Sequence, residues 1–164
     1  MGLITPKTPN FDWLGSDVIA CSHCGLAQPA SNQQFRNHMV MLQGLRDWWG
    51  NSLHIISGWR CPAHNKAEGG SKDSQHLIVR GKDPAFRFAT DLRLSMPSVH
   101  VPPKLQNDAV VIFARRALDV GFTGVGVYAA SNTLHLDLRS MQERERPAVW
   151  GDRLDEWVPS DWLE

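Results

Sequence analysis

Residues Thr133 to Arg139 decide the fold and read Thr-Leu-His-Leu-Asp-Leu-Arg. Successive side chains of a β-strand point to opposite faces, so this stretch places three leucines on one face and four polar side chains on the other. The leucine face predicts packing against a core. A polar row on such a strand costs free energy on burial unless it lines a cleft or binds something. We therefore expect His135 and Asp137 to be close neighbours in a cleft.

The patterns on either side of this strand indicate an α+β fold. Apolar residues at helical spacing predict two main helices, over 31–49 and about 105–120, and Pro62 in a first turn predicts a short third helix over 62–67. Strands are predicted over 53–57, which reads as buried, and over 86–94, 125–128 and 133–139. We expect a small, mainly antiparallel sheet packed against the two main helices.

The first main helix has clear boundary signals. Ser31 and Gln34 form an S-x-x-Q capping box, and Gly50-Asn51 ends the run. His38 lies on the apolar face of this helix, and we assign it to the core rather than to a site. Gly121 is the expected stop of the second main helix.

Three candidate metal ligands stand on three separate segments. His76 lies in a polar loop, Asp91 in a predicted strand on the face opposite Phe88 and Leu92, and His135 in the strand described above. Two imidazoles and one carboxylate suit a catalytic zinc ion, which takes three protein ligands and leaves one tetrahedral position for water. Hydrolysis is therefore the first hypothesis.

The three cysteines leave several alternatives open. Cys21 and Cys24 form a C-x-x-C pair, whereas Cys61 is distant in sequence, and an odd number excludes a complete disulfide framework. A C-x-x-C pair is half of a structural zinc site, which Cys61 with His23 or His64 would complete if the fold brings them together. One disulfide, or three reduced thiols, are the alternatives.

Composition argues against several classes of partner. The 164 residues fit one domain, and the 17 basic and 17 acidic side chains do not favour a nucleic acid or an anionic membrane. We expect a monomer made of a lead-in (1–18), a core (19–139) and a C-terminal wrap (140–164).

Residues 1–14 contain no continuous apolar run, which predicts a protein made in the cytoplasm without a signal peptide or membrane insertion. Three tryptophans in the tail are expected to anchor it to the core, with carbohydrate stacking as the alternative: Trp150, Trp157 and Trp162.

Several short motifs follow one another in an informative order. They are Ser57-Gly58-Trp59-Arg60-Cys61-Pro62, Asn65, Gly69-Gly70, Ser74-Gln75-His76, Ala89-Thr90-Asp91, Gly124-Val125-Gly126-Val127-Tyr128 and His135-Leu136-Asp137. This set resembles the zinc D-Ala-D-Ala peptidase family, which includes carboxypeptidases, vancomycin-resistance dipeptidases and many phage and bacterial peptidoglycan endopeptidases. The resemblance covers roughly 19–139, is closest to small phage endolysin-like members, and implies the fold shared with the hedgehog signalling domain.

The resemblance also implies roles for individual residues. Zinc would be held by His76, Asp91 and His135. Arg60 would reach the substrate's carboxylate or peptide carbonyl as a planar donor and help to hold the oxyanion. Ser74 would support the loop of the first ligand, and Tyr128 would donate a hydrogen bond to the intermediate.

The chain departs from the family pattern at two places. The family aspartate commonly follows the first histidine by seven residues, which would select Asp83, but Ala89-Thr90-Asp91 matches the family's strand entry and we prefer Asp91. Residues 78–86 then form an insertion at the cleft rim. At the position where several members carry a general base stands Asn132, which cannot accept a proton usefully. Asp137 is then either the base or the partner that orients a ligand histidine.

The expected function is zinc-dependent hydrolysis of a peptide bond in the peptidoglycan stem or cross-bridge. The protein would act on the cell wall as a phage lysin or as a tail-associated, virion-borne hydrolase. Two alternatives are a non-catalytic virion or wall-binding protein on the same fold, and a peptidase that acts on free D-Ala-D-Ala.

Overall fold

A mixed five-stranded sheet with two long helices forms the centre of the molecule. The computed structural model describes residues 7–12, 19–25, 33–77, 87–96, 103–141 and 144–163. In chain order the elements are β1 (Lys7–Thr8), β2 (Phe11–Asp12), α1 (Gln33–Trp49), β3 (Leu53–Ser57), α2 (Pro62–Ala67), β4 (Ala89–Leu94), α3 (Pro103–Asp119), β5 (Gly124–Tyr128), β6 (Thr133–Asp137), β7 (Ala148–Gly151) and α4 (Leu154–Trp157). The α+β prediction is confirmed.

The strand order of the large sheet is β3-β4-β6-β5-β7. The first three pairings are antiparallel, and only the β5–β7 pairing is parallel. β6 therefore lies at the centre with a neighbouring strand on each side, and its alternating sequence gives it one apolar face and one polar face.

The core forms on the leucine face of β6. Leu134 and Leu136 are fully buried, and the cross-strand partner of Leu134 on β4 is Leu92, also fully buried. Both long helices contribute to the same buried cluster through their apolar faces: Phe35, Met39, Leu42 and Leu45 from α1, and Val110, Phe113, Ala114 and Ala117 from α3. None of the helices in the described part of the chain is long and apolar enough to cross a membrane.

The helix predictions agree closely with the structure. α1 and α3 end where glycine was expected to stop them, and Gly50 and Gly121 adopt φ angles of 73° and 106°, which glycine tolerates best. Cys61 caps α2, and Pro62 follows it in the first turn. Ser31 of the predicted capping box lies outside the described residues.

The strand predictions need three corrections. The stretch 53–57, predicted to be buried, is an edge strand in which Ile56 is 45% exposed, because β3 pairs with β4 on one side and a short apolar run does not reveal a missing neighbour. β4 begins at Ala89, so Phe88 precedes it. β6 ends at Asp137 rather than Arg139, because the Asp137 side chain accepts the backbone N–H of Arg139 at 2.9 Å and turns the chain.

The C-terminal tail, predicted to be a wrap over 140–164, contains a strand and a short helix. Residues Ala148–Gly151 form β7, which extends the sheet beside β5, and α4 follows directly. A four-residue strand shows too little alternation to be recognised from sequence. Trp157 does anchor the tail, since it is buried and its Nε1 donates to the Asp152 carbonyl at 3.1 Å.

His38 is a core residue, as predicted. It is fully buried between Phe88 and Phe122, and its Nε2 lies 2.9 Å from Thr90 Oγ1. Burial is the main reason why the pKa of His38 falls to about 3, so this imidazole is neutral near pH 7.

Phe88 offers a direct test of the core. Its ring contacts Phe35 and Trp59 at centroid distances of 4.7 and 4.6 Å, and no part of it is exposed. We expect Phe88→Ala to lower the free energy of unfolding by about 3–5 kcal/mol, because it removes buried area and leaves a cavity. The matched control is Ile112→Ala on the solvent side of α3, where Ile112 is 56% exposed. Urea denaturation should show a loss within about 0.5 kcal/mol for the control; equal losses would contradict this description of the core.

Candidate metal centre

The sheet register brings the three predicted ligands together. Asp91 on β4 lies directly opposite His135 on β6. His76 lies in a loop. The Arg60 backbone N–H donates to the His76 carbonyl at 2.7 Å, and this bond joins the loop to the segment that follows β3. Asp91 Oδ1 lies 3.3 Å from His76 Nε2 and 3.1 Å from His135 Nδ1, and the two nitrogens are 3.2 Å apart.

These distances fit a tetrahedral metal site. A zinc ion with N and O ligands at about 2.0–2.1 Å requires ligand atoms to be about 3.3 Å apart. The two nitrogens and the carboxylate oxygen converge with this spacing, and both imidazoles are almost completely buried. The donor set therefore fits zinc.

Each histidine is oriented by a second partner on its other nitrogen. His76 Nδ1 lies 2.6 Å from the Gly58 carbonyl, and His135 Nε2 lies 2.9 Å from Asp137 Oδ2. These contacts set the tautomers, so that His76 Nε2 and His135 Nδ1 face Asp91 as acceptors. Gly58 is required here because a Cβ would lie 2.5 Å from the Ile19 carbonyl oxygen.

The charged groups of this cluster shift one another's pKa values. Burial alone would raise the pKa of Asp91 and of Asp137, but close contacts with His135 and His76 at Asp91, and with Arg139 and His135 at Asp137, hold the pKa of each carboxyl below its usual range. Burial opposes the charged form of His135, yet the two carboxylates raise its pKa. Burial lowers the pKa of His76, which favours the neutral form that binds metal.

The cluster lies in a cleft of about 840 Å³. Besides the three ligands, Arg60, Tyr128 and Trp150 line it. Buried, oriented ligands therefore lie beside a cavity with space for a substrate.

A comparison with known families agrees with this geometry. The profile of the family described as Peptidase M15 matches residues 16–137, about three quarters of the chain. The chain belongs to the peptidase M15 family. The resemblance drawn from the motifs is thus confirmed, and the chain is assigned to a family of zinc-dependent metallopeptidases. No curated protein and no solved structure matched the chain.

In this M15 peptidase the residues expected to meet substrate lie around the cleft. The Arg60 guanidinium donates to Asp91 Oδ2 at 2.5 Å and to Ser57 Oγ at 2.9 Å, so it contacts the ligand carboxylate as well as the cleft. Ser74 Oγ accepts the backbone N–H of His76 at 3.3 Å, as a support of that loop would. Tyr128 is 44% exposed, and its hydroxyl accepts a hydrogen bond from Trp150 Nε1 at 3.0 Å.

Trp150 does not anchor the tail to the core, contrary to the sequence-based expectation. Its ring lies over the site, with its centroid 5.0 Å from that of His135, and the Arg139 guanidinium stacks on it at 5.0 Å. Gly126 makes this possible, since a Cβ there would lie 2.5 Å from the indole. A Cβ at Gly124 would likewise lie 2.2 Å from Asp137 Oδ1. The alternating glycines of β5, Gly124 and Gly126, are the sequence signal that the side chains of Asp137 and Trp150 lie across this strand.

The two departures from the family pattern have different outcomes. Asn132 has a left-handed backbone with φ 54°, and its Nδ2 donates to the Leu94 carbonyl at 2.9 Å, so it shapes the turn before β6. Asp137 is fully buried behind His135. Asp83 and the predicted insertion 78–86 lie outside the described residues.

The cysteines form a second cluster that has the composition of a metal site. The thiol sulfurs of Cys21, Cys24 and Cys61 all lie within 4.8 Å of one another, and no disulfide joins them. Burial opposes ionisation of Cys21, but backbone N–H groups and His64 outweigh it and lower its pKa to about 6.

Metal content tests the ligand assignment directly. We expect Asp91→Ala to lose one equivalent of zinc per chain relative to the wild type, because two imidazoles alone make an incomplete site. Asp83→Ala, which removes the other aspartate at family spacing, should keep the wild-type content. Elemental analysis of freshly purified protein measures both, and the reverse pattern would exclude Asp91 as a ligand.

Proposed function

We propose that this M15 peptidase is a zinc-dependent enzyme that hydrolyses a peptide bond in the stem or cross-bridge of bacterial peptidoglycan. The observation that carries the proposal is the convergence of His76 Nε2, Asp91 Oδ1 and His135 Nδ1 at 3.1–3.3 Å in a cleft large enough for a peptide. A zinc ion bound there supplies Lewis acidity and lowers the pKa of a bound water toward neutrality.

Arg60 is the residue that we assign to the substrate carbonyl or carboxylate. A guanidinium has five N–H donors in a planar fork, and the contacts with Ser57 and Asp91 use only part of that set. Because Arg60 also lines the cleft, its other donors can meet an oxygen of the peptide beside the metal ligands. Developing negative charge on that oxygen is stabilised by the same guanidinium.

Asp137 is assigned the orienting role rather than that of the general base. It is fully buried, it contacts His135 Nε2 at 2.9 Å, and the Arg139 guanidinium donates to its other oxygen at 2.9 Å. A carboxylate that is enclosed in this way and keeps a depressed pKa is a poor proton acceptor for water in the cleft. Its oxygen instead holds the proton on His135 Nε2 and leaves Nδ1 free to bind metal.

The cleft chemistry supports a carboxylate-bearing peptide as the substrate. Three arginines, Arg60, Arg93 and Arg139, line it beside three acidic side chains, Glu68, Asp73 and Asp91, and the rings of Tyr128 and Trp150 form an aromatic wall beside His135. Wall stem peptides carry free carboxylates and small aliphatic side chains, which match cationic and aromatic surfaces. The similarity to small phage-type members supports a role as a lysin or as a virion-associated wall hydrolase.

Hydrolysis of purified sacculi is the decisive assay. We expect the zinc-loaded wild type to release new amino groups from sacculi, and His76→Ala to lose the activity by at least about 100-fold, because the metal and its electrostatic stabilisation are lost. The matched control is His54→Ala, since His54 is an exposed histidine of β3 that contacts Ser95 rather than the cluster.

The same assay separates the rival functions. Wild-type activity on free D-Ala-D-Ala without activity on sacculi would make the protein a dipeptidase. Zinc binding without hydrolysis of either substrate would make it a binding or structural protein on a peptidase fold.

Asp137→Asn tests the orienting role. Loss of this carboxylate should weaken zinc affinity by about 10–100-fold, as is typical when the partner of a ligand histidine is changed. Activity should return to within about tenfold of wild type when zinc is raised to saturation. Asp108→Asn, which removes a carboxylate paired with Arg153 away from the site, is the control and should change neither value. Full zinc occupancy with no activity would instead identify Asp137 as the general base.

A further inference from the structure

The cysteine cluster lies at a junction between two segments that are distant in sequence. Cys21 and Cys24 belong to the segment 19–25, and Cys61 caps the N-terminus of α2. The Trp59 backbone N–H donates to the Ile19 carbonyl at 2.7 Å, which holds the two segments side by side. We propose that Cys21, Cys24, Cys61 and His64 bind a second, structural zinc ion at this junction. This inference does not depend on the proposed function.

The C-x-x-C segment has the shape that two ligands on one ion require. The Cys21 carbonyl accepts the backbone N–H groups of Cys24 at 3.3 Å and of Gly25 at 2.7 Å, which closes a tight turn. Gly25 has φ 67°, a conformation that glycine adopts without strain. The turn brings both thiols to the side on which Cys61 lies.

The spacing of the sulfur atoms suits a thiolate site. All three lie within 4.8 Å of one another, and ligands at about 2.3 Å from a tetrahedral zinc ion lie about 3.8 Å apart. Two backbone N–H groups point at the sulfurs, from Cys61 to Cys21 Sγ at 3.2 Å and from His64 to Cys61 Sγ at 3.4 Å. Such donors stabilise the negative charge of metal-bound thiolates.

Two histidines approach the cluster, and His64 is the better fourth ligand. His64 Nδ1 lies 3.4 Å from Cys21 Sγ, and its Nε2 lies 3.8 Å from Glu68 Oε1. Glu68 therefore places a carboxylate near the far nitrogen of His64, although at a separation longer than the hydrogen bond that commonly supports a ligand imidazole. His23 Nδ1 also lies 3.4 Å from Cys61 Sγ, but His23 is exposed, whereas the His64 side chain is only 18% exposed.

Three thiolates and one imidazole fill all four tetrahedral positions, so this ion would be structural rather than catalytic. Its effect would reach the active site through the backbone. Ile19 packs against Gly58, whose carbonyl orients His76, and Arg60 directly precedes Cys61. His64 and Glu68 also line the cleft, so the second zinc would brace one of its walls.

Cobalt substitution of the full chain, purified under reducing conditions, tests the site without an activity measurement. We expect two equivalents of zinc per chain, and a near-ultraviolet thiolate-to-cobalt charge-transfer band after replacement by cobalt. Cys24→Ser should lose one zinc and weaken the band. Asp91→Asn should also lose one zinc but keep the band, because it alters only the histidine and aspartate site.

Three results would overturn the proposal: no thiolate band in the wild type, full metal content in Cys24→Ser, or a disulfide between any two of the three cysteines by mass spectrometry. The wild-type spectrum needs no variant, so misfolding of a mutant cannot obscure it. His64→Ala compared with His23→Ala identifies the fourth ligand, and loss of the second zinc only in His23→Ala would contradict the assignment of His64. Failure of the proposed peptidase activity would leave all of these readings unchanged.

Discussion

The antiparallel pairing of β4 with β6 is the constraint on which the rest of the structure depends. It sets Asp91 opposite His135, and the same register row continues to Ser57 on one side and to Gly126 and Trp150 on the other. A one-residue slip in any pairing would turn the polar side chains toward the helices and the leucines toward water. Burial of Leu92, Leu134 and Leu136 therefore holds the metal ligands in register from the opposite face of the sheet.

Close backbone approach is the second constraint, and glycine meets it at three positions around the metal centre. Gly58 lies against Ile19, Gly124 lies under the Asp137 carboxylate, and Gly126 lies under the Trp150 indole. A methyl group at Gly58 would collide with Ile19 and displace the carbonyl that orients His76, whereas one at Gly124 or Gly126 would displace the side chain that supports or covers His135. The geometry of the metal centre therefore depends on the lack of a Cβ at these glycines as well as on the ligand side chains themselves.

Much of the fold and of the site could be predicted from the sequence. Periodicity and glycine signals placed α1, α2 and α3 to within a few residues, and the alternation of 133–139 indicated both the core face and the polar face of β6. His76, Asp91 and His135 were found because their residue types and order match a known family. Local patterns missed β7 and misjudged β3, because strand burial depends on neighbours that come from elsewhere in the chain.

The sequence by itself determined the α+β class, the family and the identity of the candidate ligands, since these depend on periodicity and on motifs read along the chain. Only the tertiary structure decided which nitrogen of each histidine faces the metal position, and that Asp137 lies behind His135. It also decided that Trp150 covers the site and that Cys61 meets Cys21 and Cys24. Apart from the His135–Asp137 pair, which lies on one strand, these are contacts between residues far apart in the chain, and their geometry is set by sheet register and packing, which no local pattern encodes.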